Sequence, residues 1–208
     1  LRPFGIRRPG ALVLYVHWYY PKPRKDRFLR RFFRRHPGVI VLAPTQSTVH
    51  HLRELGARRI EMVDYPFAGL EDRAAATATR TPPAQPAIVA AGAARMDKGL
   101  PMTVGLVESL ETDGRDVEVR IQASPTHWGD VRPDVATELV RLDAVGYASL
   151  RREDATLTDD QFRCFVRDGI AFLPYDAEMF RDRVSGVAVD ALIEGSPIIT
   201  SHGSWMAG

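Results

Sequence analysis

Two short stretches carry residue types that can handle an anion. In Ala91-Gly92-Ala93-Ala94-Arg95-Met96-Asp97-Lys98-Gly99, two cations three positions apart follow a run of small residues. Small residues let backbone approach a ligand closely, and two cations beside free amides at the mouth of a helix suit a diphosphate. The stretch lacks the G-x-G-x-x-G of a dinucleotide fingerprint and the Gly-Lys-Ser/Thr ending of a P-loop. On spacing alone, Arg95 and Lys98 also read as solvated loop charges.

The second stretch runs Leu173-Pro174-Tyr175-Asp176, then Arg181-Asp182-Arg183-Val184-Ser185-Gly186, and on through Val187 to Pro197. Ser185 fits an N-cap, Gly195 a C′ glycine, and Pro197 lies past the stop. Helical side chains lean toward the N-terminus, which aims Asp190 back at the loop holding Asp182 and at the amides of Ser185, Gly186 and Val187. Those amides favour an anion, and the carboxylates accept hydrogen bonds from sugar hydroxyls. The alternative keeps Asp190 and Glu194, four positions apart, as the wet face of a helix.

Both stretches depend on the elements around them. Strands are predicted at 87–90, 117–121, near 148–150, at 170–174 and at 197–200, with helices at 100–110, 134–142, 159–167 and 187–194. Regular βα alternation builds a parallel sheet with helices on both faces, and such sheets bind ligands beyond the carboxyl ends of their strands. Gly92 and Pro174 fall at such ends. Upstream, 11–16, 39–43 and 59–63 read as strands around helices at 25–36 and 45–55, a second α/β layer. The Ala-, Thr- and Pro-rich stretch between them has no periodic apolar residues and reads as a linker. The expected organisation is therefore 1–68, a linker over 69–85, and 86–208.

Composition narrows the class. With 208 residues, 45% of them apolar, the chain can bury a core, which excludes disorder and collagen-like repeats. No run reaches the roughly 18 to 20 apolar residues of a bilayer span, and no leader is recognisable, so a soluble cytoplasmic protein is expected. The single Cys164 makes neither an intrachain disulfide nor a thiolate zinc site and is assigned no chemistry. The six His include no H-E-x-x-H; His50 and His51 would splay apart on a helix, and His17 and His127, each before a Trp, read as packing residues. The chain opens at Leu1 and stops at Gly208 just after the loop-like Ser201-His202-Gly203-Ser204-Trp205, so a fragment of a longer protein is expected.

Charge is unevenly spread. Residues 1–40 hold 11 Lys and Arg against the single acid Asp26, while the rest of the chain holds 17 against 25. From Lys25 to His36, Phe28, Leu29, Phe32 and Phe33 share one helical face and Arg27, Arg30, Arg31, Arg34 and Arg35 fill the remainder. Three readings stay open: a surface helix packing its Phe face on a sheet, a helix lying on an anionic membrane, and a helix following nucleic acid. No base-reading motif accompanies the charge, so nucleic acid is not an expected partner.

Taken together, Val89-Ala90-Ala91-Gly92 through Arg95-x-x-Lys98-Gly99, Leu173-Pro174-Tyr175, Arg183-x-Ser185-Gly186 and Asp190-Ala191-Leu192-Ile193-Glu194-Gly195-Ser196-Pro197-Ile198-Ile199 resemble the donor domain of group 1 (family 4) glycosyltransferases. The resemblance covers about 86–208, and residues 1–68 look like the C-terminal part of the acceptor-side domain. It implies a GT-B-like α/β fold: parallel sheets flanked by helices, a partial N-terminal Rossmann-like domain and most of a C-terminal donor domain. It also implies a retaining transfer, with neither metal nor cofactor, from a nucleotide-diphosphate sugar to a hydroxyl of a glycan, lipid or small molecule.

In that family an Arg and a Lys after the first donor-domain strand contact the diphosphate, matching Arg95 and Lys98. Two acids eight positions apart, usually Glu, contact the sugar and the ribose, matching Asp182 and Asp190. Both are Asp here, one methylene shorter, and Arg183-Val184-Ser185-Gly186 departs from the usual Gly-Phe-Gly loop. The implied donor-binding set is Gly92, Arg95, Lys98, Ser185, Gly186, Val187 and Asp190, with Arg95, Lys98 and Asp182 as catalytic groups. Early acceptor-side strands, with the histidine that relatives carry there, look absent, so this chain alone is expected to be inactive or weak. The competing expectation is a noncatalytic nucleotide- or phosphate-binding module that docks to the inner face of the membrane through Phe28 to Arg35.

Overall fold

The computed structural model describes residues 11–65, 81, 83–124 and 132–207. The linker expected over 69–85 falls outside them except for 81 and 83–85, as does His127. The chain divides into two compact units, Leu1–Pro66 with Asp182–Val184, and Phe67–Arg181 with Ser185–Gly208.

The first unit is a three-stranded parallel sheet in the order β1-β2-β3, formed by β1 (Val13–Tyr15), β2 (Ile40–Ala43) and β3 (Arg59–Met62). Leu14 pairs with Val41 and Val41 with Ile60. Helix α1 (Pro23–Arg35) opens with proline in its first turn, where the missing amide costs nothing, and closes as the His36 amide bonds the Phe32 carbonyl ahead of Pro37-Gly38. Helix α2 (Gln46–Glu54) is capped by the Thr45 hydroxyl, which accepts from the Thr48 amide. Leu29, Phe32 and Phe33 of α1 and Val49 and Leu52 of α2 pack on the sheet around Val41. Three of the four apolar residues of α1 are therefore turned inward, as the first reading of that helix expects, while Phe28 stays exposed.

The second unit holds β4 (Ala87–Ala90), α3 (Leu100–Thr112), β5 (Val119–Gln122), α4 (Pro133–Val145), β6 (Leu150–Glu153), α5 (Asp159–Val166), β7 (Gly169–Leu173), α6 (Gly186–Ile193) and β8 (Ile198–Thr200). Its five strands are all parallel, in the order β6-β5-β4-β7-β8. Side chains alternate between the faces. Ile88, Val119, Ile121 and Leu150 pack under α3 and α4, while Val89, Ala171 and Leu173 face the residues of α5 and α6. This is a doubly wound sheet. The α/β architecture, with parallel sheets flanked by helices, is the one expected from the alternation of apolar runs.

One strand is displaced from its expected place. Near 148–150 the chain turns, because the buried Tyr147 donates its hydroxyl to the carbonyls of Arg115 and Val117 and accepts from the Val117 amide. The strand begins only at Leu150 and runs through Arg151, Arg152 and Glu153. It is an edge strand of the sheet, and edges tolerate charge that a search for apolar runs passes over.

Candidate functional site

The chain leaves β4 through α3 toward β5, and leaves β7 through α6 toward β8 on the other side. Between β4 and β7 the direction of winding reverses, and a crevice opens beyond their carboxyl ends. The two stretches singled out from the sequence are the ones that follow these strands.

After β4 the backbone turns at Gly92, whose φ of 95° lies in the region that favours glycine. A Cβ there would stand 2.7 Å from Lys98 Nζ and 3.2 Å from Val187 Cγ2. Gly92 is thus the point where the Lys98 ammonium and the first turn of α6 meet. The ammonium also lies 5.7 Å from the ring centre of the buried Tyr175, a cation–π distance.

Residues Met96–Lys98 form a short 3-10 turn that ends at Gly99, with φ 76°. A Cβ on Gly99 would fall 2.0 Å from the Pro174 carbonyl oxygen, so only glycine fits. The Asp176 amide donates to the Asp97 carbonyl at 3.0 Å, tying this turn to the segment after β7. Arg95 is half-buried rather than freely solvated. Its Nε donates to Asp97 Oδ1 at 2.7 Å and its Nη2 to Asp97 Oδ2, a forked ion pair that fixes the guanidinium on its own turn.

The amides of this loop are less available than the sequence implies. Gly92 donates to Gln122 Oε1 at 2.7 Å and Ala94 to the Ser124 carbonyl at 3.2 Å. Donors remain at the start of α6. There the buried Ser185 hydroxyl accepts from the Ala188 amide at 3.3 Å and the Ser185 carbonyl from Val189, which leaves the Gly186 and Val187 amides outside the helix's own ladder. Asp190 is half-buried, one turn further along α6. Glu194 is not on a wet face: it is buried, with Oε2 accepting from Arg167 Nε and Nη2 at 3.2 and 3.1 Å. Asp182 groups with the first unit, where its carbonyl lies 3.5 Å from Thr45 Oγ1.

The hollow bounded by Gly92, Arg95, Lys98, Gln122 and Tyr175 measures about 30 Å³. That is room for one water-sized group, so it fits a phosphoryl oxygen rather than a whole nucleotide. A larger hollow of about 540 Å³ lies by β6 and α5. Its cations are already engaged. Arg120 forks onto Glu118 and reaches the Phe165 and Arg167 carbonyls, Arg151 shares the same Glu118, and Arg152 pairs with Asp143 and Asp154. Hydrogen bonding from Arg120 holds the Glu118 carboxyl below its ordinary range against the opposing effect of burial.

Gln122 escaped the sequence reading, and His17, expected to pack, also buries a polar atom. Gln122 sits 30 positions from the amide it holds, and no local pattern announces that. His17 follows β1, at the carboxyl end of the first sheet, where parallel sheets take ligands. Its ring meets Tyr65 edge-on at 4.9 Å, as a packing residue would, yet its Nδ1 is buried with no hydrogen-bond partner among the described residues. Its place directly after an apolar run was the available signal. His50 and His51 do not splay fully apart, since both approach Glu54, at 3.3 and 4.0 Å, while His51 also stacks on Tyr19 at 5.1 Å. Among the described residues no cluster of His, Cys, Asp and Glu could hold a metal ion, and no helix is long and apolar enough to cross a membrane.

Fold and loop together define a doubly wound α/β unit that presents cations and helix-end amides at its switch point. No protein-family model matches the chain, and no curated protein matches it in sequence. Solved structures do match in fold. A trehalose-6-phosphate synthase, studied with bisubstrate glycomimetics for glycosyl transfer with retention, superposes with a TM-score of 0.65 at 14% identity, covering 94% of this chain and 54% of that one. The UDP-forming α,α-trehalose-phosphate synthase of Burkholderia vietnamiensis gives 0.64 at 14%, covering 93% and 53%. HepE of Anabaena, in complex with UDP and glucose, gives 0.58 at 13%, covering 93% and 53%. The fold is that of the GT-B glycosyltransferases, and the chain spans about half the length of these structures.

Proposed function

We propose that this chain is part of a retaining glycosyltransferase that moves a sugar from a nucleotide-diphosphate sugar to an acceptor hydroxyl. The observation that carries the reading is the convergence at Gly92 of the Lys98 ammonium and the first turn of α6, at the switch point between β4 and β7. A departing diphosphate accumulates negative charge, which fixed cations and helix-end amides stabilise without reorganising.

In this reading Lys98 and the Gly186 and Val187 amides hold the diphosphate. Arg95, kept in place by Asp97, turns its remaining N–H donors toward it. Ser185 fixes the helix start, and Asp190 accepts from the ribose hydroxyls. No cofactor takes part, and the acceptor is a glycan, a lipid or a small molecule. The chain alone binds donor without transferring it. Fold likeness to glycosyltransferases, among them an enzyme crystallised with UDP and glucose, supports the class of donor.

Thermal unfolding with UDP, GDP and their sugars tests this. A ligand at about 100 times its Kd adds about 2.7 kcal/mol, which raises the Tm by roughly 5 to 10 °C. Lys98→Ala should abolish the rise. If no nucleoside diphosphate shifts the wild-type Tm, the reading is wrong.

A further inference from the structure

The donor site leaves the most strongly charged element of the chain unused. Helix α1 turns Leu29, Phe32 and Phe33 into the core of its unit, which leaves its opposite side to solvent. At about 100° per residue, Arg24, Arg27, Phe28, Arg31 and Arg35 fall within an arc of roughly 100° on that side. All five are exposed, Phe28 to 66%. Four arginines thus line one side of an exposed aromatic ring, whose other side stacks on Phe32 at 6.4 Å.

Of the other charges of the helix, Arg34 is exposed next to the stripe, and the remaining three are occupied elsewhere. Lys25 lies over the Trp18 and Tyr19 rings at 5.8 and 5.9 Å, and Arg30 Nη1 donates to the Glu54 carbonyl at 3.3 Å. The one acid, Asp26, turns inward and accepts from the Tyr19 hydroxyl at 2.7 Å. Among the described residues no carboxylate pairs with Arg24, Arg27, Arg31 or Arg35; the side-chain bond found in the stripe runs from Arg27 Nε to the Pro23 carbonyl at 3.3 Å.

We propose that this stripe docks α1 onto the surface of an anionic lipid bilayer, with the four arginines among the headgroup phosphates and the Phe28 ring in the boundary beneath them. A cationic face answers an anionic surface whatever that surface is, but the exposed apolar ring at its edge decides between surfaces. A bilayer offers hydrocarbon directly below its phosphates, whereas the backbone of a nucleic-acid duplex offers none. Docking of this kind is reversible and salt-sensitive, since one partly inserted ring is far weaker than an acyl anchor. The proposal does not depend on the donor site.

Flotation of the whole 208-residue chain with vesicles at low salt tests it. Vesicles containing phosphatidylglycerol should carry the protein up, pure phosphatidylcholine vesicles should not, and added salt should release it. Arg31→Glu with Arg35→Glu should weaken partitioning about 30-fold or more. Phe28→Ser should weaken it roughly tenfold while leaving the salt dependence in place. Arg53→Glu, exposed on α2 and outside the stripe, should change nothing. Every substituted side chain faces solvent, and far-UV circular dichroism checks that each variant is folded; Arg31→Gln with Arg35→Gln serves if the reversal misfolds. Equal binding to neutral vesicles, no binding at all, or an unaffected Phe28→Ser variant would each overturn the proposal. So would an RNA oligomer that binds more tightly than the vesicles and displaces them.

Discussion

Replacing Gly92 with alanine puts one methyl group where the Lys98 ammonium and Val187 converge, and the geometry sets the size of two separate effects. The first is strain. A side chain at φ 95° costs about 1 to 2 kcal/mol, which lowers the Tm by roughly 2 to 8 °C in a chain of this length. The second is displacement. The new Cβ would lie 2.7 Å from Lys98 Nζ, and ordinary contact begins at 3.4 Å, so the ammonium must retreat by about 0.7 Å. A charge-assisted hydrogen bond to phosphate does not survive that stretch, and its loss weakens nucleoside diphosphate binding by roughly 10- to 100-fold. Isothermal titration with UDP measures the affinity, and a double-mutant cycle isolates the cause. In a Lys98→Ala background, Gly92→Ala should lower the Tm as before yet cost little further affinity, because the group it displaces is gone. If Gly92→Ala leaves UDP binding intact, or weakens it equally with and without Lys98, the reasoning fails.

Gly99→Ala should be far more damaging, since its Cβ would meet the Pro174 backbone rather than a flexible side chain; a loss above about 4 kcal/mol, read by urea unfolding, is expected. Glu194→Ala should cost about 1 to 2 kcal/mol by the same measurement, more than Glu194→Gln, because Arg167 loses its buried acceptor yet remains partly solvated. His17 carries a pH dependence. Burial, then the charge of Arg183, lowers its pKa below the ordinary 6.5, so the folded state favours neutral imidazole. The unfolded chain therefore takes up a proton first. Stability from this residue is full above about pH 6.5 and declines as pH falls through the lowered value, and His17→Asn should flatten that part of a Tm-against-pH curve.

Much of this was legible because local pattern and tertiary demand agree. Apolar runs such as Ala87–Ala90 and Gly169–Leu173 become central strands buried on both faces, and the Ser185 cap and Gly195 punctuate α6 as their types require. The cations of the β4 loop were legible by type, and their partners were not. Asp97 stands two residues from Arg95 and reads as one more loop charge until the fork is seen. Gln122 and Arg167 act across 30 and 27 positions, distances that no periodicity spans. Glu194 looked like a wet-face carboxylate because its spacing from Asp190 reports the helix and says nothing of what packs against it. Helix α1 needed coordinates for a similar reason. Its four phenylalanine and leucine residues read as one apolar face, yet the sheet takes only three of them and leaves Phe28 exposed at the rim, beside the arginines.

The most direct test of the central claim is a crystal structure of the chain with UDP. The account expects the diphosphate at the carboxyl end of β4 and β7, its oxygens within hydrogen-bond distance of Lys98 Nζ and of the Gly186 and Val187 amides, and one of them seated against Gly92. A diphosphate held anywhere else, with the Lys98 ammonium still resting against Tyr175 and Gly92, would contradict it.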